Sequence, residues 1–123
     1  MERSVFLVED NQRIRQHLSS ALEELISAQV AGTAESEAEA CEWLASHPAQ
    51  WQLAVVDLFL KQGSGLGVLA FCARRASSQR VVMLTNFATA DTRARCRQLG
   101  ADAIFDKSTE LDDFFRYCAD RTA

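Results

Sequence analysis

The stretch Leu53-Ala54-Val55-Val56-Asp57-Leu58-Phe59-Leu60 is apolar at every position but Asp57. A short run of this composition reads as a strand, and one apolar throughout is covered on both faces rather than wet on one. Strands buried on both sides belong to parallel sheets, whose connections are helical crossovers. A carboxylate set into such a run must find a partner, because an unpaired buried charge is costly. Asp57 therefore marks a central strand and, at the same time, a place where chemistry is expected.

The rest of the chain supports that reading in both directions. Upstream, Ser4 to Val8 (SVFLV) is a short apolar strand that runs into Glu9-Asp10. Ile14, Leu18, Ala21, Leu22, Leu25 and Ile26 then recur at helical spacing. Gln29 to Thr33 reads as a weaker second strand. Ser36 with Glu39 three residues later forms a capping box that opens a helix, and Pro48 closes it off. Downstream, Gly63-Ser64-Gly65 breaks the central strand and Val68 to Ala76 is expected to be helical. Arg80 to Leu84 (RVVML) is a fourth strand ending at Thr85. Ala90 to Leu99 is a helix stopped by Gly100. Ala103 to Phe105 is a fifth strand, ending near Lys107. Leu111, Phe114, Phe115 and Cys118 give a last helix one apolar face.

Five strands alternating with five helices imply right-handed crossovers and a mostly parallel sheet with helices on both sides. No repeat, low-complexity tract or linker divides the 123 residues, so one domain over residues 1–123 is expected. Hydrophobic content of 48% and charged content of 24% are those of a soluble globular protein. A net charge of −4 and a pI near 5.1 do not suit direct binding to nucleic acid, which needs a basic surface. The opening Met1-Glu2-Arg3-Ser4 and its short apolar continuation do not fit a signal peptide, and no run is long enough for a membrane span. Cys41, Cys72, Cys96 and Cys118 are scattered, with no Cys-x-x-Cys, and read as reduced core thiols on helices. His17 and His47 read as a helix-surface and a helix-end residue. A cytoplasmic protein is expected.

In open parallel sheets, ligands bind beyond the carboxyl ends of the strands, where the strand order reverses. Glu9 and Asp10 end the first strand, Asp57 lies near the end of the third, Thr85 ends the fourth and Lys107 follows the fifth. All of these converge on one edge. Three carboxylates gathered there would raise one another's pKa values unless a cation sits among them. Hard oxygen ligands open to water suit Mg²⁺, which binds through one or two carboxylates and phosphate oxygens. Lys107 and the Thr85 hydroxyl can meet an incoming phosphoryl group, with Asp57 as its nucleophilic acceptor. Taken singly, each feature has a plainer reading: Asp10 or Asn11 as a helix cap, Thr85 as an ordinary strand-end residue and Lys107 as an ordinary loop residue. The coincidence at successive strand ends favours the chemical reading.

Four segments carry a family resemblance: VFLVEDN around Glu9-Asp10, LAVVDLFL around Asp57, VVMLTN around Thr85 and LGADAIFDKS around Lys107. In this order the chain resembles, over its whole length, the receiver domain of bacterial two-component response regulators. The resemblance implies a flavodoxin-like, doubly wound α/β fold with strand order 2-1-3-4-5. It implies Asp57 as phosphoacceptor, with Thr85 and Lys107 holding the phosphoryl oxygens. It also implies Mg²⁺ held by Asp10 directly, by Glu9 through water, by Asp57, and by the backbone carbonyl of Phe59. A sensor histidine kinase or histidine phosphotransfer protein is the implied donor, and contact through the fourth and last helices, as in a homodimer, the implied output. Arg93, Arg95 and Arg97 on one of those helices stand against Asp112, Asp113 and Asp120 on the other. A phosphorylation-independent receiver-like binder, or a small Mg²⁺-dependent aspartyl-phosphate hydrolase, are the competing readings. The hydrolase would want a second Asp two residues after the nucleophile, where this chain has Phe59.

The chain departs from the resembled pattern in ways that touch the output. The switch position three residues before the lysine, usually aromatic, is Ile104, with Phe105 after it; a smaller rearrangement is expected, with Phe105 packed permanently against the sheet. Ser108 follows the lysine where proline is common, so a trans bond is expected. Asn86 stands after the threonine, where a small residue is usual. Phe59 and Phe87 fall where the resemblance places side chains flanking the water that hydrolyses the acyl phosphate. Neither ring can orient that water, so a long-lived phosphoryl group is expected.

Overall fold

The computed structural model describes residues 3–120; Met1 and Glu2, read above as part of the N-terminal sequence, lie outside the described residues. The strands are β1 (Ser4–Val8), β2 (Gln29–Ala34), β3 (Leu53–Val56), β4 (Arg80–Thr85) and β5 (Ala103–Asp106). The helices are α1 (Gln12–Ile26), α2 (Glu37–Ser46), α3 (Gly65–Phe71), α4 (Ala90–Gln98) and α5 (Leu111–Ala119). Among the described residues the pairings between these strands are parallel and the order is β2-β1-β3-β4-β5, the flavodoxin-like arrangement expected.

Alternation along the strands splits the core into two layers. Phe6, Val8, Ala54, Val56, Val81 and Met83 face α2, α3 and α4, with Leu44, Leu69 and Cys96 packed among them. Val5, Leu7, Leu53, Val55, Val82 and Leu84 point to the other side, against Leu22 of α1 and Phe114 of α5. Burial of both faces explains why β3 is wholly apolar and β4 is apolar from Val81 to Leu84. The Trp43 ring stacks on Phe6, with centroids 4.1 Å apart and planes 4° from parallel. Gly32 has no side chain because a Cβ there would fall on that indole.

Local signals account for most boundaries. Asn11 caps α1, its Oδ1 accepting the Ile14 N–H at 3.0 Å. Ser36 Oγ accepts the Glu39 N–H at 3.2 Å, but the Glu39 carboxylate returns to the N–H of Glu35, one residue before the cap. Gly100, at φ +100°, ends α4 in the left-handed conformation that glycine adopts without strain.

Two expectations are corrected. The third helix occupies Gly65–Phe71 rather than Val68 to Ala76. Ser64 Oγ accepts the Leu66 N–H and so starts it early. At its far end, Arg75 donates to the carbonyls of Cys72, Gln79 and Gly100 and pairs with Asp102. That clasp holds residues 72–74 as a turn and keeps the helix from continuing. The strand of the central run is also shorter, stopping at Val56, so Asp57 is the first residue beyond it. The Asp57 N–H still donates to the Val8 carbonyl at 3.0 Å, which holds the residue at the sheet edge.

Candidate functional site

At the carboxyl edge of the sheet, β1 delivers Glu9 and Asp10, β3 delivers Asp57 and β5 delivers Lys107. Carboxylate oxygens of Glu9, Asp10 and Asp57 all lie within 4.8 Å of one another. Lys107 Nζ lies 2.5 Å from Glu9 Oε1 and 2.9 Å from Asp57 Oδ2. The Lys107 N–H donates to the Thr85 carbonyl at 2.9 Å, so a backbone bond sets how far the ammonium reaches. The second Glu9 oxygen accepts the Asn11 N–H at 3.0 Å, and Asp10 Oδ2 accepts the Lys61 N–H at 2.7 Å. The Phe59 N–H reaches Asp57 Oδ1 at 3.3 Å.

The electrostatics follow from burial against pairing. Burial pushes the Glu9 carboxyl up, and the Lys107 and Asn11 bonds pull it back without cancelling that rise. Burial by itself would lower the Lys107 ammonium, but Glu9 and Asp57 together hold it above its ordinary value. Three carboxylates facing one ammonium leave excess negative charge in a largely enclosed place. An all-oxygen donor set with uncompensated charge fits a hard divalent cation such as Mg²⁺.

The structure thus brings Glu9, Asp10, Asp57 and Lys107 together. Thr85 is fully buried beside them, with its hydroxyl turned to the Asn86 carbonyl at 3.1 Å. Phe59 contributes its backbone N–H, while the residue as a whole is 61% exposed. Phe87 is 81% exposed and sits at φ +57°, a conformation unusual for a bulky residue. Ile104 is buried, and Phe105 packs edge-on to Phe114 at 6.0 Å and near Tyr117 at 5.7 Å. The bond following Lys107 is trans, as Ser108 led us to expect. His17 is exposed on α1, and His47 ends α2 stacked on Trp43. Cys72, Cys96 and Cys118 are buried, Cys41 partly so, and all four are free thiols.

Sequence reasoning missed the supports around the cluster. Arg15 donates to the Glu9 carbonyl at 2.8 Å and pairs with Glu35 at 2.8 Å. Asp106 accepts the N–H groups of Ala88 and Ser108, at 3.1 and 2.7 Å, joining the loops after β4 and β5. Its carboxyl is held below the ordinary value, chiefly by those two bonds. An Asp one residue before the lysine was visible in the sequence, but one of its partners, Ala88, belongs to the loop after β4.

A doubly wound sheet thus gathers an acidic cluster and a lysine at its carboxyl edge, where folds of this class bind their ligands. The response regulator receiver domain family matches residues 5–118, and the chain belongs to it, a family of two-component signalling domains. The photosynthetic apparatus regulatory protein RegA of Cereibacter sphaeroides is 30% identical over 112 residues, covering 91% of this chain. That match covers 59% of RegA, so the chain spans about three fifths of this relative's length. A LuxR-family DNA-binding response regulator from Staphylococcus aureus superposes with a TM-score of 0.82 at 16% identity, over 94% of this chain and 95% of that one. The phosphorylated cyanobacterial phytochrome response regulator RcpA gives 0.78 at 24% identity, over 97% and 90%. These two likenesses establish the fold. No helix among the described residues is long and apolar enough to cross a membrane.

Proposed function

We propose that Asp57 accepts a phosphoryl group from a sensor histidine kinase or a histidine phosphotransfer protein, and that residues 1–123 act as one cytoplasmic receiver domain. The observation that carries this reading is the single Lys107 ammonium shared between Glu9 and Asp57, with Asp10 alongside. In the step itself, an Asp57 carboxylate oxygen forms the O–P bond as the P–N bond to the donor imidazole breaks. The electron pair of that bond stays with the imidazole nitrogen. Asp10, Glu9, Asp57 and the Phe59 carbonyl would hold Mg²⁺, which supplies positive charge to the phosphoryl oxygens when bound.

Lys107 stays protonated, because Glu9 and Asp57 hold its ammonium above the ordinary value, and offers its charge to the phosphoryl oxygens. The Thr85 hydroxyl has to leave the Asn86 carbonyl to donate to the same oxygens. Glu9 is 2% exposed and orients Lys107 rather than attacking. The chain modifies only itself. A turnover hydrolase is disfavoured by Phe59, which offers no acid or base two residues after Asp57. The test is borohydride trapping, which reduces an aspartyl phosphate to homoserine; peptide mass analysis should locate homoserine at position 57 and nowhere else.

The output reading rests on α4 and α5. Arg95 and Arg97 are exposed on α4, and Asp112 on α5. A second copy docking those helices against one another would bring opposite charges together. Sedimentation after activation with beryllofluoride, a phosphoryl mimic, should show a dimer that Arg95→Glu with Arg97→Glu abolishes. A species that stays monomeric at high concentration rejects this part of the reading.

A further inference from the structure

Gly63, Gly65 and Gly67 place three glycines in the five residues where the loop after Asp57 runs into the first turn of α3. Only Gly63, at φ +81°, has a backbone that asks for glycine. The other two are explained by what surrounds them. A Cβ on Gly65 would collide with the Asp57 carbonyl and the Leu58 backbone. A Cβ on Gly67 would fall inside the Glu37 carboxylate, and one on Gly63 would strike the Glu37 Cβ. The segment is therefore moulded around the Asp57 backbone on one side and Glu37 on the other.

Glu37 also holds the loop by hydrogen bonds. Its Oε1 accepts the Ser64 N–H at 2.9 Å, and its own N–H donates to the Gln62 carbonyl at 3.2 Å. The same loop meets the acidic cluster through the Lys61 N–H on Asp10 and the Phe59 N–H on Asp57. Glu37 stands in the first turn of α2, directly after the Ser36 cap, so its position is fixed by a helix.

We infer that Glu37 is a positioning residue: it clamps residues 59–64 so that Phe59 and the Asp10 carboxylate stand correctly beside Asp57. The inference rests on the phosphoacceptor reading above and extends it to a residue on another element. Nothing in Glu37 touches the reacting atoms; it acts through the loop.

The experiment measures Mg²⁺ affinity by calorimetry and Ser64 amide exchange by NMR, with urea midpoints alongside. Four variants are compared with wild type: Glu37→Ala, Glu37→Gln, Gly67→Ala, and Glu37→Ala with Gly67→Ala. Alanine at 67 improves helix propensity, so any loss from Gly67→Ala comes from displacing the carboxylate. Glu37→Ala and Gly67→Ala should each weaken Mg²⁺ binding about threefold to tenfold, less than loss of a group bonded directly to a ligand. Both should also speed Ser64 exchange. Glu37→Gln, which keeps an acceptor oxygen, should restore both readouts. Gly67→Ala should add nothing in the Glu37→Ala background, since the collision is gone.

A phosphorylated wild type whose Glu37→Ala variant binds Mg²⁺ unchanged overturns the inference. So does a Gly67→Ala loss that is equal in both backgrounds. A wild type that binds Mg²⁺ but is never phosphorylated on Asp57 overturns only the phosphoacceptor reading.

Discussion

Arg93 Nη2 lies 2.6 Å from Glu110 Oε1, which ties α4 to the start of α5 within one chain. The same guanidinium donates to the Ala88 carbonyl at 2.9 Å and the Ile104 carbonyl at 3.4 Å. The sequence groups Arg93 with Arg95 and Arg97 as charge for a homodimer, a docked partner or a plain solvated face; in the structure Arg93 is paired within its own chain. Asp113 is likewise paired with Arg116 on its own helix.

The Arg93–Glu110 pair should show coupling in a double-mutant cycle of Arg93→Ala and Glu110→Gln. Both side chains are partly exposed, so solvent screening keeps the coupling below about 1 kcal/mol. Arg93 first, and then the Asp106 N–H, hold the Glu110 carboxyl below its ordinary 4.5. A lowered carboxyl stabilises the fold above its unfolded value and loses that contribution as pH falls through the folded one. The coupling should therefore be present near neutrality and fade below 4.5. Coupling that persists in acid would point to packing rather than charge.

Cys72 and Cys118 offer a test at the other end of the pH scale. Burial pushes the Cys72 thiol from 9.0 up to about 11, and the Cys118 thiol from 9.0 up to about 12. A raised thiol stabilises the fold fully below the unfolded value, and that contribution is lost as pH rises through the folded one. Stability should decline above pH 9.0, with a slope approaching ~1.4 kcal/mol per pH unit for each thiol. Urea midpoints across that range should fall less steeply for Cys72→Ala with Cys118→Ala, whatever its baseline stability. Equal slopes would show that other groups govern alkaline unfolding.

The two faces of the sheet were legible because alternation and apolar runs report burial directly, as in Val5 to Val8 and Val81 to Leu84. The convergence of Glu9, Asp10, Asp57 and Lys107 was legible because each stands at or just beyond a strand end, where the topology itself gathers them. The end of α3 was not, since Ala70 to Ala76 keeps helical composition. What stops the helix is Arg75 reaching Gly100 and Asp102, contacts 25 and 27 residues away in sequence. Glu37 was hidden for the same reason: its partner loop begins beyond β3, and only the spacing of the glycines hinted at it. The Thr85 hydroxyl shows a further limit, because a residue type at a strand end does not say where its proton points.

The exposed rings of Phe59 and Phe87 set an expectation for signal lifetime. Neither can donate to or orient the water that would attack an acyl phosphate on Asp57. The phosphorylated protein should decay about tenfold more slowly than Phe59→Asn with Phe87→Glu, a difference of ~1.4 kcal/mol in barrier. Loss of label over time, followed for both proteins in Mg²⁺, measures it. Equal decay rates would mean that these positions do not govern hydrolysis here.

Intact-mass spectrometry after treatment with acetyl phosphate and Mg²⁺ tests the phosphoacceptor reading most directly. Wild type should gain the mass of one phosphoryl group, while Asp57→Asn gains none and wild type in chelator gains little. Modification that persists in Asp57→Asn, or that proceeds fully in chelator, would contradict it.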